Sequence, residues 1–165
     1  MINDFLVESQ IEQDIRNINS ILNTNIFDKD HATHPLRQAA FIQLLICLRD
    51  LMYKTQKYSR RISFADDVII TDKVHDVTDL IKYVRDAVCH PDIPNHKIDQ
   101  TIITFCVIYG KGSSITIGNT ELKSDYDDDV CFVFGAQKIY LKRHIIRAFN
   151  EAFAKLTPLL HNPMF

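Results

Sequence analysis

The stretch YVRDAVCHPDIP, Tyr83 to Pro94, divides the chain into two periodicities. Upstream, apolar residues recur at helical spacing; downstream, they gather in short β-branched and aromatic runs. The helix that contains this stretch opens near Val74 and carries Val77, Leu80, Ile81, Val84 and Val88 on one face. Pro91 disfavours helical geometry at the residue before it, so the helix is expected to end at His90. Core packing has no use for Arg85, Asp86 and His90 in its last turns.

Toward the N-terminus the helical period continues. Ile11, Ile15, Ile18 and Leu22 mark a first helix from about Asp4 to Asn23. The polar stretch NTNIFDKDHATHP then reads as a loop. Pro35 suits the first turn of a second helix, whose stripe of Phe41, Leu44, Leu45, Leu48, Leu51 and Met52 runs on to about Tyr58. Toward the C-terminus, TIITFCVIYG, SSITIG, DDVCFVFG and QKIYLK read as strands separated by glycine turns, a small antiparallel β-meander over 101–141. A closing helix over 142–160 carries Ile145, Phe149, Phe153 and Leu156. The expectation is one domain over residues 1–165, mainly α (α+β) in class. In it a four-helix up-and-down bundle carries the small antiparallel β-meander inserted before its last helix.

Composition narrows the function classes. At 165 residues and 46% hydrophobic, the chain can bury a core of its own. A net charge of −2 argues against a globally basic nucleic-acid binder, so any contact with RNA must be local. No apolar run approaches the length of a membrane span, and the start MINDFLVESQIEQDI lacks the basic, apolar pattern of a secretory signal. Cys47, Cys89, Cys106 and Cys131 lie far apart without a CxxC pair, which fits reduced thiols in a cytoplasmic protein and neither a zinc ribbon nor a disulfide scaffold.

The chemistry concentrates at Arg85 to His90. On an ideal helix Asp86 and His90 share a face, whereas Arg85 and His90 stand about 140° apart. The latter two converge if the last turn relaxes or if a second copy of the chain supplies one of them. Histidine can accept or give a proton near neutral pH.

This arrangement resembles the signature of the HEPN superfamily, helical domains carrying R-x4–6-H near the end of their third helix. Arg85 and His90 match with four residues between, and Asp86 takes the place of the family's polar residue. The resemblance covers the motif and the helical frame (1–90 and the closing helix), not the strands. It implies a HEPN-like bundle and a metal-independent endoribonuclease without cofactor, of toxin or defence type. It also implies a homodimer whose paired motifs line one cleft, RNA as substrate and, in toxin members, an antitoxin protein as partner. His90 would then shuttle the proton as a 2′-hydroxyl attacks the adjacent phosphate. Arg85 would stabilise the pentacoordinate phosphorus, and Asp86 would hold one of the two in place. The alternative is a catalytically inactive HEPN-like module that binds RNA, a nucleotide or a protein partner. Asp92 stands where members paired with nucleotidyltransferase antitoxins carry tyrosine, which argues against that partner.

Weaker signals lie elsewhere. Lys54, Lys57, Arg60 and Arg61, with Tyr53 and Tyr58 between them, could grip phosphate and stack a base. In an up-and-down bundle a second helix about 35 Å long would hold them far from His90 and bring His31 and His34 close to it. H-x2-H beside Asp28 and Asp30 lacks a third firm ligand, so no metal is expected there. KSDYDDD lacks the glycine and glutamate of a calcium loop and reads as a charged hairpin.

Overall fold

The computed structural model describes residues 2, 4–90, 94–98, 100–103 and 105–161. Pro91 and Asp92 lie outside that set. Helices α1 (Phe5–Asn23), α2 (Arg37–Tyr58), α3 (Val77–Cys89) and α4 (Arg147–Leu156) lie within the segments that the helical period marks out. Two carboxylates start them. Asp4 accepts hydrogen bonds from the Leu6 and Val7 amides at 3.0 and 3.3 Å, and Asp76 accepts from the Asp79 amide at 2.9 Å. The central element is α2, against which α1, α3 and α4 all pack. Its Phe41, Leu44, Leu45, Leu48 and Leu51 are completely buried. Among the described residues no helix is long and apolar enough to cross a membrane.

The expected fold class is overturned. The strands, which begin at Lys97, form three small antiparallel sheets rather than one meander inserted before the last helix. Strand β1 (Lys97–Ile98) pairs with β2 (Thr101–Ile102), and β4 (Gly112–Ile117) with β5 (Thr120–Ser124). The third sheet has the order β3 (Cys106–Tyr109), β6 (Val130–Phe134), β7 (Gln137–Tyr140). A meander would pair strands in sequence, whereas β3 skips the β4–β5 hairpin to pair with β6, Val107 opposite Phe132.

The physical reason lies in VCFVF. Its apolar run is continuous because β6 is buried on both faces. Phe132 and Phe134 point to the helices, stacked on Phe41 with ring centroids 4.3 and 5.6 Å away. Cys131 and Val133 point the other way, into a second core with Ile98, Ile108, Leu122 and Tyr140. The central sheet is thus a wall of the main core, with its own apolar layer outside.

KSDYDDD is a clamp between two sheets rather than a charged hairpin. Buried Asp129 accepts from the Lys142 and Arg143 amides at 2.9 and 3.1 Å, capping a π-helical turn (Leu141–Ile146) that leads into α4. Asp128 and Asp129 both pair with Arg143, and Asp125 pairs with Lys138. Fully buried His144 completes the joint. Its Nδ1 accepts from the Tyr140 amide at 3.1 Å, so Nε2 carries the proton and donates to the Asp66 carbonyl at 3.0 Å. Burial holds its pKa below the ordinary histidine value, consistent with that neutral ring.

Helix lengths position the candidate site. With 22 residues α2 is about 33 Å long, whereas the 13 residues of α3 reach only about 20 Å. Arg61, just past the end of α2, holds Asp76 at the start of α3 through two bonds of 2.7 and 2.8 Å, and Asp79 at 2.6 Å. Pinned there, α3 runs back along α2 and stops beside its middle, not beside its start.

Candidate active site

The last turn of α3 opens onto a cavity of about 600 Å³. Arg85, Cys89 and His90 line one side, Ile46, Arg49 and Asp50 of α2 another, and Gln10, Gln13 and Asp14 of α1 the third. The relaxation that convergence needs is present. His90 keeps the last helical bond, its amide donating to the Asp86 carbonyl at 2.9 Å, but its backbone has left the helix at φ −130°, ψ 84°. Arg85 and His90 therefore border one cavity within a single chain, without a second copy. Asp86 holds Arg85 rather than His90, its carboxylate 2.9 Å from Nη1.

Three further groups of this cavity carry chemistry that the sequence reading passed over. Arg49 adds a second guanidinium, 5.8 Å from the centre of the exposed Tyr53 ring. Asp14 and Asp50 face each other, with the buried Lys54 ammonium against both: it pairs with Asp50 and lies 3.6 Å from Asp14. Burial, then the hydrogen bond with Asp50, raises the Asp14 pKa to about 7. Burial pushes Asp50 the same way, but the bonds from Asp14 and Lys54 prevail and hold it below the ordinary carboxylate value. The pair thus shares a proton, most of it on Asp14. Cys47 lies behind them, its thiol pushed up to about 11 by burial and by Asp14. The legible signal was Asp50-x3-Lys54, an ion pair at helical spacing along an otherwise apolar stripe.

The basic patch is dispersed. Lys54 is taken up by the two carboxylates, and Arg61 by Asp76 and Asp79. Lys57 lies 5.0 Å from the Tyr58 ring centre, and Arg60 is exposed. Along α2 the expected distances hold at Arg61, pinned at the opposite end of α3 from His90, and fail at Lys54 and His34. Lys54 adjoins groups of the His90 cavity, whereas His34 borders a different cavity at the helix start. His31 and His34 face each other edge to face, with ring centroids 6.2 Å apart. Among the described residues no group of three or more metal-ligating side chains is assembled.

No family model matches the chain, and no curated protein and no solved structure matches it.

Proposed function

We propose that the chain is a metal-independent endoribonuclease of HEPN type that cleaves single-stranded RNA in the cavity at the end of α3. The observation that supports this reading is the meeting of Arg85, His90 and Arg49 on one open cavity. RNA carries its own nucleophile, so such a site needs only proton transfer and charge stabilisation. In this reading His90 takes the proton from the 2′-hydroxyl as its oxygen attacks phosphorus. Arg85 and Arg49 stabilise the negative charge that gathers on the phosphoryl oxygens. The bond from phosphorus to the 5′-oxygen breaks, and the Asp14 carboxyl supplies the proton that the leaving oxygen needs. The products are a 2′,3′-cyclic phosphate and a 5′-hydroxyl. Tyr53, exposed beside Arg49, offers a face for an unpaired base. A toxin or defence role, a homodimer and an antitoxin partner belong to the same proposal through the resemblance of the Arg85–His90 motif.

A second reading, a binding module without turnover, is favoured by one observation. Asp86 already holds the Arg85 guanidinium at 2.9 Å, which leaves less of it for a transition state. One experiment separates the two. Purified protein is incubated with single-stranded RNA in EDTA, beside Arg85→Ala, Arg49→Ala and His90→Ala. The nuclease reading expects cleavage by the wild type, a loss of roughly 10²–10⁴-fold in His90→Ala, and roughly 10²–10³-fold in either arginine variant. Binding without cleavage by the wild type selects the second reading. Cleavage that survives all three substitutions removes the site.

A further inference from the structure

A second cavity, of about 460 Å³, lies between the start of α2 and strand β3. It is bordered by His34, Arg37 and Gln38 on one side and by Phe105, Val107 and Tyr109 on the other. Arg37 is only 6% exposed. Its Nη1 donates to the Ala32 carbonyl at 2.8 Å, while Nε and Nη2 are closed to solvent and have no hydrogen-bond partner. No carboxylate pairs with it among the described residues; Asp28 bears on the Tyr109 hydroxyl instead. That hydroxyl is likewise buried and without a partner.

A buried guanidinium without a counter-ion is costly, and proteins ordinarily pair it or leave it out. Two aromatic rings offset part of the cost, with Phe105 and Tyr109 centred 5.6 and 5.1 Å from the guanidinium carbon. Phe105 takes up that position in the left-handed region at φ 49°, where a bulky aromatic is strained. Burial also holds the Arg37 pKa below the ordinary arginine value. Strain, an uncompensated charge and two silent donors meet at one place.

We propose that this cavity is a second anion site, taking the carboxylate or phosphate of a small molecule. The free Nε/Nη2 edge of Arg37 is the side-on edge that holds two oxygens of one group in parallel bonds. The Tyr109 hydroxyl donates a third bond. His34 accepts the Leu36 amide on Nδ1 at 3.2 Å, so its Nε2 carries a proton at the rim, a further donor for an anion. Because solvent does not reach the Arg37 edge, entry moves the half-buried Tyr109 ring at the end of β3.

The test is a titration of the full chain with inorganic phosphate, and separately with acetate, against chloride at equal ionic strength. Calorimetry and thermal unfolding are read together. The Arg85→Met background is used throughout, so that an anion held in the other cavity contributes less. The site predicts saturable binding and a rise in Tm with at least one of the two anions, and the preferred anion tells phosphate from carboxylate ligands. Arg37→Met and Arg37→Lys each abolish the response, the second because a lysine keeps the charge without the two-donor edge. Tyr109→Phe weakens it several-fold. If Arg37→Met does not fold, Arg37→Lys and the titration of the parent protein still decide. A flat titration with both anions overturns the proposal, and so does a response that persists in Arg37→Lys.

Discussion

Two cations of α2 are buried to nearly the same extent, Lys54 at 5% and Arg37 at 6% exposure, and their surroundings are opposite. Lys54 lies against two carboxylates that also share a proton with each other. Arg37 has two aromatic rings, one carbonyl and, among the described residues, no carboxylate. Removing a buried cation from its counter-ions strands them, whereas removing one that lacks counter-ions relieves the fold of an unpaired charge. Burial alone therefore says little about what a charge does. Its partners separate a charge that organises a site from one that awaits a ligand.

Stability measurements can break this contrast. The largest effect is expected from Lys54→Ala, which leaves Asp14 and Asp50 facing each other without their cation. A loss of about 3 kcal/mol in urea unfolding is expected at pH 8. The loss should be smaller at pH 5, where the pair holds its shared proton. Equal losses at both pH values would show that Lys54 acts by packing alone. Arg61→Ala comes next, removing the clamp between the end of α2 and the first turn of α3. With its guanidinium one-third exposed, about 2 kcal/mol is expected by the same measurement. A larger fractional loss of RNA cleavage than of stability would show that the clamp also sets where α3 ends.

Asp14→Asn tests the shared proton. The folded-state pKa of about 7 lies above the ordinary 3.8, so between these values the folded protein keeps a proton that the unfolded chain has released. The contribution of Asp14 to stability therefore falls as pH rises from about 4 to 7 and is flat above and below. Asn should remove that slope, so that its stability relative to the wild type is higher at pH 8 than at pH 4. In the cleavage assay the wild type should lose activity as pH rises through about 7, and Asp14→Asn should lack that limb. A wild-type alkaline limb that survives the substitution belongs to another group. The smallest effect is expected from Arg37→Met in the absence of anions. Its Tm should be unchanged or slightly raised, since an apolar chain of similar length fills the space without a charge. A fall of several degrees would make Arg37 a structural residue and close the contrast with Lys54.

Local patterning carried much of the helical half. The stripes of α1, α2 and α3 are legible because each helix buries one face, and Asp4 and Asp76 start helices through bonds made within a few residues. The runs that hold β2, β3, β4, β6 and β7 were legible as strands, but β1 and β5 were not, and neither were the sheets. Pairing β3 with β6 across the β4–β5 hairpin depends on which faces Phe41 and the second core need covered, and no local period records that. Arg85 and His90 were legible as a spaced pair on a helix end. Asp14, Arg49 and Arg37 were not, because each is an ordinary charge on its own helix and acquires meaning only from a neighbour on another element.

By itself the sequence determined where helices form, where the period changes, and that a guanidinium and an imidazole stand at one helix end. Spacing and capping are interactions between near neighbours, and near neighbours are what a linear pattern specifies. Tertiary structure alone decided that α3 stops beside the middle of α2, which makes a cavity of three helices. It also decided that one buried cation of α2 is neutralised and the other is not. Both depend on groups far apart in the chain, whose approach is set by the packing of whole elements.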